Sequence, residues 1–347
     1  MFDQVGGRKV HKSPIPRLGG IAIFAGIGVG WAWLFIFGSG IFSPEIYKQL
    51  LYLSFASTGV WAMGLYDDLF GLSAYKKLLV QIMAALVVFT GGIQIRFVGQ
   101  PWAGGDIFLD STLVSASLTI FWLVFVTNAI NLIDGLDGLA GGVCFITALS
   151  LYFISTELGI PHLPPLCLSV AGACFGFLIF NFSPARIFLG DSGALFLGFL
   201  LAALSVMGTV KRGTAIVLFG PPLILAVPVL DTLWAVIRRF IRNPRGEPGP
   251  THLQESTLNR IFARLNPRYL LRRLQEIFVA DQNHIHHGLL KLGLSHRRAV
   301  ILLYGLSALM GVSAYRVATS RQLLGVLVSG VLLVILLFWA LKNVKKR

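Results

Sequence analysis

Apolar stretches of about twenty residues recur along this chain, the length an α-helix needs to cross the hydrocarbon core of a bilayer. In that medium backbone N–H and C=O groups find no water, so each segment must satisfy its own, and a helix does so. Ten candidate spans are centred near Phe24, Ala56, Ala85, Phe121, Ala148, Gly172, Leu200, Leu223, Leu306 and Leu332. The fold class expected is all-α, a polytopic transmembrane helical bundle of about ten spans forming a single domain over residues 1–347. Composition agrees: 55% of residues are hydrophobic and 13% charged, against about 25% charged in soluble domains. No span is followed by a small-residue cleavage site of the signal-peptide kind, so none is set aside.

Cytoplasmic loops carry the excess of Lys and Arg. With the N-terminus inside, segments 1–17, 67–77, 183–192, 236–298 and 342–347 hold 23 of the 29 basic residues. The others, Lys48, Arg96, Lys211, Arg212, Arg316 and Arg321, fall outside. Both termini are therefore expected in the cytoplasm, with the protein a multi-pass resident of the cell inner (plasma) membrane. A net charge of +14 would suit nucleic acid, but topology and anionic headgroups account for basic residues beside spans, so no nucleic-acid partner is expected. Cys144, Cys167 and Cys174 lie inside spans without metal-ligand spacing and are expected as small packing residues.

The even spacing of spans is broken by a cytoplasmic insertion at about 238–298. It opens with the Pro/Gly-rich NPRGEPGP, then places Leu258, Ile261, Phe262 and Leu265, and after Pro267 Leu270, Leu271, Leu274, Ile277 and Phe278, at helical spacing among arginines. Two short basic amphipathic helices are expected, lying on the inner leaflet or packed on the protein's own cytoplasmic surface. Segment 96–112 has Gly-Gly between partly alternating runs and is expected to form a small hairpin.

Six of the fifteen acidic residues are embedded in or abut apolar spans: Asp67, Asp68, Asp134, Asp137, Asp191 and Asp231. A charged carboxylate costs a few kcal/mol at the bilayer centre, so such residues are functional candidates. The topology brings Asp67, Asp68, Asp134, Asp137 and Asp191 to the inner interface, where cytoplasmic loops would form an active site. A carrier would place such groups nearer the midplane, so an enzyme is favoured and a carrier for anionic metabolites is the alternative. On a helix Asp134 and Asp137 would share a face, whereas adjacent Asp67 and Asp68 point about 100° apart and should divide their roles. Dipole compensation at a helix start would explain Asp134 and Asp191 but not Asp67 at a helix end. Several carboxylates at one interface need a cation, and oxygen donors without Cys indicate Mg2+, with Mn2+ the alternative, the usual companion of a diphosphate.

His284, His286 and His287 precede the ninth span beside Lys291, Arg297 and Arg298. They suit a donor cluster for phosphate; zinc would lack a fourth ligand other than Asp281. Arg8, Lys9, His11, Lys12 and Arg17 bring basic groups to the same face, although a topogenic flank looks identical.

Together, PIPRLGG, YDDLFGLSAYKK, NAINLIDGLDGLAGG, FNFSPARIFLGDSGALFLG, PVLDTLWAVIRR and DQNHIHHGLLKLGLSHRR resemble the polyprenyl-phosphate N-acetylhexosamine-1-phosphate transferases. The His-Ile-His-His run resembles the enzymes that load GlcNAc-1-phosphate onto undecaprenyl phosphate more than the peptidoglycan translocase, which usually shows three consecutive histidines. The resemblance implies Mg2+-dependent transfer of sugar 1-phosphate from a UDP-sugar to a polyprenyl phosphate, releasing UMP, as the first membrane step of a cell-envelope glycopolymer pathway. Its partners would be the UDP-sugar, the lipid and a second copy of the chain. It implies catalytic roles for Asp67, Asp68, Asp191, His284, His286 and His287, and substrate binding by Lys12, Arg17, Asn131, Asp134, Asp137, Phe188 and Arg297. Asp191, Asp67, Asp68 and Asn131 would hold the metal. Relatives of this subtype carry a further span before RKVHKSPIPRLGG, and the stretch 242–281 is longer than the family pattern.

A phosphate monoester has its second pKa at about 6, so the lipid phosphate is mostly dianionic at neutral pH and needs no strong base. Bringing two anions together is the harder task, solved by charge neutralisation and in-line positioning. Asp191 is therefore expected to matter more than Asp67 for the metal, with Asp67 positioning or neutralising.

Overall fold

The computed structural model describes residues 2–3, 15–38, 40–100, 105–208, 225–241, 288–290 and 292–320. Lys12, His284, His286, His287, the two expected amphipathic helices, the tenth span and the first half of the eighth lie outside the described residues.

The helices follow the expected order: α1 (Gly19–Phe37), α2 (Pro44–Phe70), α3 (Ala74–Thr90), α4 (Thr112–Ile133), α5 (Leu139–Glu157), α6 (Leu163–Asn181), α7 (Gly190–Met207), α8 (Ala226–Ile241) and α9 (His296–Ser320). Six of them, α1, α4, α5, α6, α7 and α9, are long and apolar enough to cross a membrane. The chain is a multi-pass, mostly helical membrane protein. Helices α2 and α3 stand where the second and third spans are expected, with Asp67, Asp68, Lys76 and Lys77 at their facing ends. The strands form two small antiparallel ribbons: β1 (Phe2–Asp3) with β2 (Ile15–Pro16), and β3 (Phe97–Gln100) with β4 (Gly105–Phe108), the hairpin expected between the third and fourth spans.

Local chemistry sets several boundaries. Ser43 caps α2, its Oγ accepting from the Ile46 N–H at 3.4 Å with Pro44 at the first helical position. The helix stops at Gly71, whose φ of 75° favours glycine. Asp134 and Asp137 correct the sequence reading. They do not start the fifth helix but lie in the link between α4 and α5, Asp134 as the C-cap of α4 and Asp137 just before Gly138 at φ 82°. A glycine turn breaks the helix, so spacing three apart confers no shared helical face, and dipole compensation at a helix start does not explain Asp134.

Helix α7 is the axis of the bundle. Every residue from Ser192 to Met207 is buried, and α7 packs against α1, α2, α4 and α5. Between helices in lipid the hydrophobic effect gives little drive, so close packing through small residues must supply it. A Cβ at Gly198 would stand 2.9 Å from Thr127 Cα on α4, and one at Gly64 would stand 2.6 Å from Ser192 Cα, so glycine sets both approaches. The outer surface is apolar instead: Val29, Trp33, Phe55, Phe121, Phe153 and Ile179 are exposed, as lipid-facing residues should be. Cys144, Cys167 and Cys174 are unpaired and buried inside the bundle.

Candidate active site at one end of the bundle

Successive helices run in opposite directions, so the C-terminal ends of α2, α4 and α6 meet the N-terminal ends of α1, α3, α5 and α7. The segment before α1 is stitched to the start of α7: Phe188 N–H donates to Pro16 O, Gly19 N–H to Phe188 O and Gly20 N–H to Leu189 O, each at 2.9 Å. Trp61 of α2 donates its indole N–H to Gly20 O at 3.2 Å and stacks on Phe24 at 4.1 Å between ring centres.

The centre of the site is a bridged pair of carboxylates. Lys77, in the first turn of α3, reaches Asp67 Oδ2 at 2.9 Å and Asp191 Oδ2 at 2.8 Å. Asp67 Oδ1 also accepts from the Leu72 backbone N–H just beyond the end of α2. An adjacent residue on a helix turns by about 100°, and Asp68 accordingly faces α7. Its Oδ1 accepts from the Asp191 N–H at 3.0 Å, and its Oδ2 accepts from the Ser192 N–H at 3.0 Å and the Ser192 Oγ–H at 2.7 Å. Arg17 Nη1 stands 4.0 Å from Asp68 Oδ1. The adjacent aspartates thus have two separate sets of partners, Asp67 on α3 and the end of α2, Asp68 on the start of α7.

The α4–α5 link closes one side. Burial first, then the carboxylates of Asp191 and Asp68, push the Asp134 carboxyl up to about 7. Asp137 Oδ2 accepts from the Ala185 N–H at 3.0 Å, tying the link to the loop before α7. Asn181 strengthens the tie: its Oδ1 accepts from the Gly138 N–H at 2.9 Å while its Nδ2 donates to Ile187 O at 2.8 Å. Tyr304 of α9 donates to Gly138 O, and Arg297 Nε donates to Ser183 O at 2.8 Å. Asn131 occupies the last turn of α4 and is half-buried.

The structure therefore gathers Asp67, Asp68, Asp191, Asp134 and Arg17 around the start of α7. It sets Asp137, Phe188 and Arg297 on the loops framing that point. Four residues of this network were missed from sequence: Lys77, Ser192, Asn181 and Tyr304. Lys77 carried a readable signal, because a cation in the first turn of a helix opposes the dipole and implies a local anion. Ser192 and Asn181 sit inside the conspicuous motifs but are neutral, and Tyr304 gave none.

Among the described residues no group of three or more His, Cys, Asp or Glu side chains converges as a preformed metal cage. The donors nevertheless fit a hard divalent ion. Two carboxylates already converge on one cation, the Lys77 ammonium, and Mg2+ is usually held by one or two carboxylates with the remaining positions left to water and substrate phosphates.

Fold and site define a polytopic membrane protein with a charge-paired polar centre at one end of its helices. Residues 50–209, which span α2 to α7 and hold the bridged carboxylates, match glycosyl transferase family 4. The chain is 34% identical over 312 residues to the probable undecaprenyl-phosphate N-acetylglucosaminyl 1-phosphate transferase of Bacillus subtilis (strain 168), covering 90% of this chain and 76% of that one. It is 34% identical over 343 residues to the decaprenyl-phosphate N-acetylglucosaminephosphotransferase of Mycobacterium tuberculosis (strain ATCC 25618 / H37Rv), covering 90% and 74%. The phospho-N-acetylmuramoyl-pentapeptide-transferase of Lactobacillus johnsonii is 32% identical over 245 residues, covering 67% of this chain and 72% of its own length. This chain belongs to glycosyl transferase family 4, the polyprenyl-phosphate sugar-1-phosphate transferases that its motifs resemble.

Proposed function

We propose that this protein transfers a sugar 1-phosphate, GlcNAc-1-phosphate foremost, from a UDP-sugar to undecaprenyl or another polyprenyl phosphate. An oxygen of the lipid phosphate bonds to the β-phosphorus of the UDP-sugar. The bond from that phosphorus to the oxygen bridging to the α-phosphate breaks, and UMP leaves with that oxygen. The product is a lipid-linked diphosphate sugar, the first membrane intermediate of a cell-envelope glycopolymer. The observation that carries this reading is the convergence of Asp67 and Asp191 on Lys77, at a helix end in a family whose relatives bear these activities in their names.

The lipid phosphate is mostly dianionic at neutral pH, so the site's task is to hold two anions in line. Lys77 and Arg17 supply positive charge at the right place. Asp67, held by the Leu72 N–H and the Lys77 ammonium, is arranged to fix that lysine rather than to collect a proton. Mg2+, when bound by Asp191 and Asp67 beside Asn131, would neutralise charge on the diphosphate. Asp134 and Asp137 would hold the nucleotide on the loop that Asn181 and Tyr304 brace. Phe188 and Arg297 would line the approach, with Lys12, His284, His286 and His287 contacting phosphate or sugar from the cytoplasm. In this reading ten helices cross the inner membrane, both termini are cytoplasmic and so is the site, with soluble nucleotide sugar arriving from one side and lipid phosphate from the leaflet.

The test is to incubate purified protein with undecaprenyl phosphate, Mg2+ and a panel of UDP-sugars, following UMP and the mass of the lipid product. UMP released only when lipid phosphate, divalent ion and UDP-GlcNAc are all present is the expected result. Flux of an anionic metabolite across sealed vesicles without UMP would overturn it.

A further inference from the structure

We propose that Asp68 is a positioning residue: it clamps the first turn of α7 and so aims Asp191 at Lys77 and Asp67. This rests on the transferase reading of the same site and goes beyond it by separating the two adjacent aspartates. The first N–H groups of a helix have no partner within the helix. Here two of them, those of Asp191 and Ser192, are taken by the two oxygens of one carboxylate on another helix, and the Ser192 hydroxyl adds a third bond. The Asp68 side chain is 0% exposed. To ligate a metal or contact substrate it would have to release two backbone N–H groups of α7, one of them on fully buried Ser192, and leaving a buried donor orphaned is costly.

The backbone is shaped around this clamp. Gly64 lies one turn before Asp68 on the same face of α2, and a Cβ there would stand 2.6 Å from Ser192 Cα. Gly190 has φ 73°, and a Cβ on it would stand 2.6 Å from Asp68 Oδ2. Glycine on each side thus lets the carboxylate and the helix start approach to hydrogen-bonding distance. Arg17, at 4.0 Å, lies close enough to offset the buried charge without displacing any of the three donors. Asp191 belongs to the turn being held, and its carboxylate meets Lys77 at 2.8 Å. A clamp on the Asp191 N–H therefore fixes the direction of the Asp191 side chain.

The experiment compares Asp68→Asn, Ser192→Ala, the double variant and Asp191→Asn in purified full-length protein. Mn2+ affinity is read by electron paramagnetic resonance without substrate, and kcat, KM for UDP-GlcNAc and the Mg2+ half-saturation are measured in parallel. Ser192→Ala should weaken Mn2+ binding about threefold, and Asp68→Asn about tenfold, as supporting hydrogen bonds of metal ligands usually do. In both, kcat should fall with KM for UDP-GlcNAc unchanged, and the double variant should be no worse than Asp68→Asn, because both changes loosen one clamp. Ser192→Ala keeps the two backbone donors on Asp68, so it tests the proposal even if Asp68→Asn fails to fold. The proposal is overturned if Ser192→Ala matches wild type in both readouts, or if Asp68→Asn abolishes Mn2+ binding as completely as Asp191→Asn. Wild type that binds Mn2+ but releases no UMP would refute the transferase reading alone, since the binding arm still reports on the clamp.

Discussion

Two kinds of polar contact hold this bundle together, and they occupy different depths. Deep between the helices the contacts are neutral and self-contained: Trp31 donates to Ser169 Oγ at 2.9 Å, Trp122 donates to Ser205 Oγ at 3.1 Å, and Asn128 donates to Gln81 Oε1 at 2.6 Å. At the end of the bundle around the start of α7 the groups are charged, and the acids outnumber their described cations: Asp67, Asp68, Asp191 and Asp134 gather there with Lys77 and Arg17. A neutral pair within lipid needs only its partner. An excess of carboxylate is stable only where water or a further cation completes it. Depth therefore separates neutral packing contacts from charged ones, and substitutions in the two regions should fail in different ways.

The largest effect should come from Lys77→Ala. It removes the cation common to Asp67 and Asp191. Loss of a transition-state cation in phosphoryl transfer costs about 10³-fold or more. UMP release should fall by that order while the purified protein keeps its melting temperature within a few degrees. A full loss of folded protein would move Lys77 into the packing class. Asp67→Asn should cost less, about 10²-fold, because Asp191 still faces Lys77. Its pH–rate profile decides the role. If Asp67 positions Lys77, raising the pH will not restore turnover, whereas recovery at alkaline pH with unchanged metal affinity would make it a base.

The end of the bundle was legible from sequence because carboxylates in apolar surroundings are expensive and therefore conspicuous. Asp67, Asp68 and Asp191 stood out for that reason, and their shared face followed from alternating helix direction. Lys77 was passed over despite the signal of a cation in a first helical turn, since one of two lysines at a span's start reads equally well as a topogenic flank. The α4–α5 link was misjudged as helical because Asp134 and Asp137 have helical spacing; Gly138 overrides it through its backbone. Burial was the hardest property to foresee. Helices α1 and α7 are both long and apolar, yet 28% of one and 89% of the other is buried. A helix apolar all round carries no stripe to mark its inner face, and the small residues that let α7 sit at the centre act only through their neighbours.

Asp134 tests the charged region through pH. Burial, then Asp191 and Asp68, push its carboxyl up to about 7 in the folded protein, against an ordinary value of 3.8 when unfolded. The folded state thus binds this proton more tightly, so stability falls as pH rises between those two values and the full cost is present above the higher one. Without divalent ion, Asp134→Asn should melt about 3 °C or more above wild type at pH 8 and within about 1 °C of it below about pH 3, where both states are protonated. Added Mg2+ should shrink the difference at pH 8 by neutralising Asp191. An equal gap at both pH values would mean that Asn improves packing and that the carboxylate excess carries no cost.

The smallest effect belongs to the packing region. Ser205→Ala on α7 removes the acceptor for the Trp122 indole N–H and the hydroxyl that donates to Ala202 O at 2.6 Å. Hydrogen bonds between membrane helices are worth about 0.6 kcal/mol on average, because the unfolded chain in the bilayer also finds partners. The variant should therefore lose about that much stability in a denaturant titration in mixed micelles, with kcat and Mg2+ half-saturation unchanged. Its distance from the charged end makes it a strict control. If Ser205→Ala lowered turnover with the metal response altered, α7 would transmit strain along its length to Asp191, and the separation of packing contacts from charged ones by depth would have to be abandoned.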